Sequence, residues 1–192
     1  MRQLEEQGDL PPGTELIQPT AGFCLKTTAK KLVNDKKKTY FDQKTFVNIC
    51  FHEKVPKAEK KLVKGPDGRE GYSWSLPYRV SKMRMDQDAK KEVCTTFDVV
   101  FHDAIQGHLV HEEFQKFVAD TAIDGIKRVL AESSEKVSTD YKIMKNLRCK
   151  GEEPALMTVK REESANPLLA NMDSSKHESK MQKDLKNQKS NY

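Results

Sequence analysis

No window of this 192-residue chain approaches the run of roughly 18 apolar residues that a membrane span needs, and its N-terminus has no apolar signal core. Those two absences predict a protein of the cytoplasm, with the nucleus also open to it. Cys-x-x-Cys is absent too. Cys24, Cys50, Cys94 and Cys149 lie far apart among mostly apolar neighbours, the pattern of buried reduced thiols and not of disulfides or a zinc site. The nine glycines form no phosphate-cradling run, and Gly-x-Ser-x-Gly, Walker and Rossmann motifs are missing, which argues against nucleotide chemistry. His111-Glu112-Glu113-Phe114-Gln115 carries glutamine where a zinc-protease helix needs its second histidine. Cys50 and Cys94 precede His52 and His102, yet thiols on apolar strands are usually unreactive. The expectation is a non-catalytic protein with no cofactor and no metal.

Apolar residues are scarce as well. They make up 36% of the chain, below the roughly 45–50% of an ordinary globular domain, so part of the chain is expected not to pack. One core is expected over residues 19–151, with an irregular lead-in at 1–18 and a polar, disordered tail at 152–192. The net charge of +5 is unevenly spread: from Lys26 to Lys64 twelve lysines face four carboxylates. A local basic surface attracts acidic partners at long range.

What is present is a set of short apolar segments. Gly22–Thr27, Thr45–Cys50 and Thr96–His102 alternate with apolar residues on both faces, as strands covered on both sides do. Tyr141–Cys149 reads as a final strand. Trp74-Ser75-Leu76-Pro77-Tyr78 belongs at a sheet edge, because Pro77 has no amide proton for a central ladder. Met83-Arg84-Met85 reads as a further short strand. Thr28–Lys44 is expected to be a long loop or hairpin connection, and His52–Gly71 a polar connector with a turn at Gly65-Pro66-Asp67-Gly68. Asp103 is placed to cap a turn before one long amphipathic helix over Leu109–Ser133. Its apolar face comprises Val110, Phe114, Phe117, Val118, Thr121, Ala122, Ile126, Val129 and Leu130. Strand, helix and strand in that order predict an α/β (α+β) domain, a mixed sheet flanked by helices.

Phe23-Cys24-Leu25-Lys26-Thr27, Phe46-Val47-Asn48-Ile49-Cys50, the Trp74 segment, Phe97-Asp98-Val99-Val100-Phe101-His102 and Met144-Lys145-Asn146 together resemble the N-terminal domain of the PIH1 family, over roughly Pro19–Gly151. These are adaptors that work with Hsp90 and the R2TP co-chaperone complex. The resemblance implies a PIH1-type mixed sheet and a peptide-binding basic groove. Family members that bind acidic phosphopeptides use lysines that correspond here to Lys26, Lys44, Lys90 and Lys145, with Asn146 beside the last. Leu147 stands where such adaptors have an arginine, leaving Arg148 to supply the guanidinium one residue out of register. That shift favours general recognition of acidic segments over bidentate phosphate geometry. Family members usually carry a CS-type β-sandwich after this domain, and the polar residues beyond Gly151 do not suit one.

The Trp74, Phe97 and Lys145–Gly151 segments are most similar to the branch of the family that serves cytoplasmic preassembly of axonemal dynein arms. The partners this implies are Hsp90 and Hsp70, R2TP components, acidic or phosphorylated client segments and dynein chains. The alternative is an R2TP-type adaptor in box C/D ribonucleoprotein assembly, touching RNA through the basic loop with Tyr40 and Phe41.

Overall fold

The computed structural model describes residues 10–34, 39–66, 68–133 and 135–160. Two compact units are distinguished, and the one spanning Leu16–Val159 holds the sheet and the helix. The other, Met1–Glu15 with Lys160–Tyr192, falls largely outside the described residues.

Three strands make the centre. β2 (Thr20–Asn34) and β3 (Thr39–Phe51) form an antiparallel hairpin, and β3 pairs in parallel with β8 (Val93–Phe101). Period-two alternation sends Leu25, Val47, Ile49, Phe97, Val99 and Phe101 to one face. Cys24, Phe46, Cys50, Cys94 and Val100 go to the other. Both faces are covered, as the apolar runs require.

The helix packs on the first face. A 3-10 helix (Asp103–Val110) leads into α1 (Glu112–Val129), whose buried residues include Val118, Ala119, Ala122, Ile123 and Ile126. Glu112 and Glu113 at its start and Lys127 and Arg128 at its end suit the helix dipole. The helix is shorter than the expected Leu109–Ser133. Leu109 and Val110 fall in the 3-10 turn instead, which is capped by His102, whose Nδ1 accepts the Ala104 amide at 2.9 Å, and not by Asp103. The buried stripe also runs differently: Val110, Phe117 and Val129 are exposed by 79%, 37% and 55%, while Ala119 and Ile123 take the inner positions.

The lysine-rich stretch after Thr27 continues as strand. β2 runs to Asn34, with Lys30 facing Asp42 across the ladder and Ala29 turned inward. The connector His52–Gly71 likewise holds structure: β4 (Glu59–Lys64) pairs with β5 (Glu70–Ser75) as a separate hairpin. Its turn has Gly68 at φ +77° and the Gly65 amide donating to the Arg69 carbonyl at 2.8 Å. Pro77 then separates β5 from β6 (Tyr78–Val80), which lies at the sheet edge beside β8, so the expected edge segment Trp74–Tyr78 is split between the hairpin and the main sheet. β7 (Arg84–Gln87) confirms the short strand expected near Met85 and also pairs with β8.

The other edge is built by β9 (Lys136–Val137) and β10 (Lys142–Met144), both antiparallel to β2. Only three residues of the expected strand Tyr141–Cys149 are extended; the rest, with the chain on to Leu156, forms a strap across the second face. β1 (Thr14–Ile17) and β11 (Met157–Lys160) form a two-stranded sheet. Ordered structure thus reaches into the segments read as lead-in and tail, because Ile17, Met157 and Val159 pack on Cys50, Val55 and Val100. The tail beyond Lys160 lies outside the described residues.

A buried carboxylate anchors the strap. Asp98 is fully buried in β8; its Oδ1 accepts from Asn48 Nδ2 at 2.7 Å, and its Oδ2 accepts from Arg84 Nη2 at 2.7 Å and the Ala155 amide at 2.8 Å. The Asn48 side chain also clamps Lys150, donating to its carbonyl at 3.0 Å and accepting its amide at 2.7 Å.

At Gly125 α1 comes close to the sheet edge. A Cβ there would sit 2.6 Å from the ring of Tyr78, which is held against Phe101. Gly125→Ala is therefore expected to destabilise by about 1–3 kcal/mol through overpacking, outweighing the roughly 1 kcal/mol of helix propensity that alanine adds. In urea denaturation, the double variant with Tyr78→Leu is expected to lose less than the sum of the single changes.

Candidate functional site: a basic face on the sheet

The face turned away from α1 carries a small apolar patch. Cys24, Phe46 and Cys94 are buried there, and Met144 of β10 and Leu147 of the strap pack partly against them. Strand register sets cations around this patch. Lys142 of β10 lies directly opposite Lys26 of β2, and both are exposed. Lys26 in turn pairs with Phe46, and Lys44 pairs with Thr28, so Lys26 and Lys44 are diagonal neighbours on the same face.

The cations differ in their surroundings. The Lys44 ammonium is held by Asp88 and by Glu92, the latter at 3.0 Å. That contact chiefly holds the Asp88 carboxyl down at about 2, assisted by the backbone amides of Glu92 and Lys90, and raises Lys44. Lys150 of the strap donates to the Gln87 carbonyl at 2.6 Å, lies 3.2 Å from an Asp86 oxygen, and stands 5.9 Å from the Phe46 ring centroid. Among the described residues, Lys26 and Lys142 form no ion pair with a carboxylate.

The expected site residues distribute as follows. Lys26 and Lys44 share the face, and exposed Lys90 sits in the Asp88–Glu92 turn beside Lys44, its amide bonded to Asp88 Oδ1 at 2.8 Å. Asn146 and Arg148 are exposed on the strap. Lys145 lines a cavity of about 810 Å³ with Glu112, Lys116 and Asp120 of α1, on the helix side of β10. Lys142 and Lys150 were not singled out from sequence. The alternation of Lys142 with Ile143 was a readable signal for the first; nothing local marks the second.

The thiols are poor nucleophiles. Burial pushes Cys24 up to about 12 and raises Cys50, Cys94 and Cys149. All four are free, Cys149 alone being half-buried. Among the described residues no group of three or more His, Cys, Asp or Glu side chains could hold a metal ion, and no helix is long and apolar enough to cross a membrane.

The family model described as the PIH1 N-terminal domain matches residues 1–166. The chain belongs to this family. Protein kintoun of Drosophila willistoni is 35% identical over 141 residues, which is 72% of this chain and 16% of that protein. Protein kintoun of Aedes aegypti is 33% identical over 153 residues, 79% of this chain and 15% of that protein. The chain thus spans a small part of the length of these curated relatives. The N-terminal domain of yeast PIH1p has the same fold, with a TM-score of 0.57 at 20% identity, covering 76% of this chain and 92% of that one.

Two outcomes check the electrostatics of this PIH1 domain. By NMR titration Asp88 is expected to ionise near 2 and to move up towards the ordinary carboxylate range in Lys44→Ala. Because its folded pKa is depressed, the stabilisation this carboxylate provides is present above about pH 4 and is lost as pH falls towards 2. In the folded protein at neutral pH, Cys24 and Cys50 are expected to resist a maleimide that labels Cys149 slowly; rapid labelling of either buried thiol would contradict their burial.

Proposed function

We propose that this PIH1 domain is a non-catalytic co-chaperone adaptor that holds acidic segments of client or partner proteins, phosphorylated ones included, on the basic face of its sheet. The observation that carries this reading is the pairing of Lys26 with Lys142. Like charges directly opposite each other on neighbouring strands oppose pairing by roughly 0.2–1 kcal/mol. An anionic side chain seated between them would relieve that repulsion. Lys44 lies diagonal to Lys26, and the Met144–Leu147 patch gives the ligand backbone an apolar floor. A phosphoserine brings nearly two negative charges, and each charge-assisted contact contributes roughly 1.5–3 kcal/mol.

Family membership supports the co-chaperone assignment, with Hsp90, Hsp70 and R2TP components as the machinery served. Similarity to kintoun supports a role in cytoplasmic preassembly of axonemal dynein arms, with dynein chains as the clients. Exposed Lys90, Asn146 and Arg148 are proposed as secondary contacts.

Isothermal titration with an acidic peptide, phosphorylated and unphosphorylated, tests the site. Wild type is expected to bind both, the phosphorylated form more tightly, with affinity falling as salt rises. Lys26→Glu/Lys142→Glu should weaken binding at least about tenfold. Equal binding by wild type and the double variant would exclude this face.

A further inference from the structure

We infer that the groove between α1 and the free edge of β10 is a second peptide site, which takes an extended, basic segment of a partner protein by adding it as a strand to the sheet. β10 is the terminal strand of the main sheet and pairs only with β2 among the described residues. Its outward backbone amides and carbonyls therefore have no ladder partner there, and an unpaired edge is a template for another strand. Beside that edge lies the cavity of about 810 Å³, a size that accepts several side chains.

The chemistry of the occupant follows from the walls. Ile143 turns to the helix side of β10 and supplies an apolar floor, so one side chain in each alternate pair of the added strand must be apolar. The charged lining consists of Glu112, Asp120 and Asp140 against Lys116 and Lys145. Lys116 and Asp120 are already joined at 2.7 Å, and Asp120 also accepts the Tyr141 hydroxyl at 2.7 Å. Setting that pair aside leaves Glu112 and Asp140 against Lys145, a net negative wall. The fitting ligand is a strand that alternates aliphatic with lysine or arginine side chains. The groove thus selects the opposite charge to the basic face, and it does not depend on the acidic-peptide reading.

A short synthetic peptide of alternating valine and lysine is the probe, titrated into the full chain and followed by two-dimensional NMR and amide hydrogen exchange. Expected are shifts centred on residues 141–145 and 112–120, with new protection of those amides in 142–144 that do not bond to β2. The same peptide with alternate backbone nitrogens methylated, or with glutamate in place of lysine, should bind at least about tenfold more weakly. Glu112→Gln/Asp140→Asn should weaken binding severalfold, and Lys26→Glu should leave it unchanged. Equal binding by the methylated or the glutamate peptide, or shifts confined to the Lys26 face, would overturn the proposal. The peptide controls need no altered protein, so a variant that fails to fold does not blunt the test.

Discussion

The buried carboxylate of Asp98 is the constraint from which the second face of the sheet is organised. A bare carboxylate this deep would cost several kcal/mol, and it is tolerated because side chains from β3 and β7 and an amide of the strap all donate to it. Each donor comes from a different part of the chain, so satisfying the charge also fixes their mutual positions. The Ser81 hydroxyl receives the Asp98 amide at 2.9 Å, tying the segment between β6 and β7 into the same node. Asn48 extends the network by holding Lys150 at both its amide and its carbonyl. A strap without regular secondary structure is thereby set as firmly as a strand. Leu147 and Lys150 can then close the Cys24–Phe46–Cys94 patch from one side.

The charges above that patch fall into two kinds. Lys44 and Lys150 face carboxylates of the 86–92 segment, which lower the free positive potential and orient the two ammonium groups. Lys26 and Lys142 face each other instead. Opposite signs across a ladder favour pairing, and two pleat periods further along β2 Lys30 meets both cases, facing Asp42 on β3 and Lys136 on β9. What sets Lys26 apart from Lys30 is the apolar patch of Cys24, Phe46 and Met144 beside it, and that neighbourhood supports the site proposed there.

How far the sequence reached depends on which physical signal each part carries. β8, Gly22–Thr27 of β2 and Thr45–Cys50 of β3 were legible because apolar residues on both alternating faces leave few alternatives, whereas the polar residues up to Asn34 and from Thr39 continue both strands without that signal. The hairpin β4–β5 read as a polar connector because β4 is exposed on both faces and β5 half-buries only Gly71 and Trp74, so burial leaves no period-two trace. Phe117 and Val129 fit a 3.6-residue stripe on paper, yet Ala119, Ile123 and Gly125 are buried in their place, the missing side chain of Gly125 letting α1 approach Tyr78 closely. β1 and β11 were missed for a different reason: four residues each, with Ile17, Met157 and Val159 as their buried members, carry too little pattern to stand out from polar surroundings. Register is the deepest limit. Nothing local in Lys142 announces that it will stand across from Lys26.

Lys142 and Lys145 show how one short strand divides the chemistry of the molecule. Lys142 and Met144 project to the basic face, and Ile143 between them projects to the helix side, where Lys145 also lies once the chain turns after Met144. A lysine counted with Lys26 from its place in a motif is thereby carried to a wall shared with Glu112. Side-chain direction in a strand flips at every residue, so a shift of a single position moves a cation from one ligand field to its opposite. Net charge alone is therefore a poor guide to what this domain holds. The sheet separates a face on which Lys26 and Lys142 stand without carboxylate partners from a groove whose carboxylates outnumber its lysines, and β10 is the boundary that contributes consecutive residues to both.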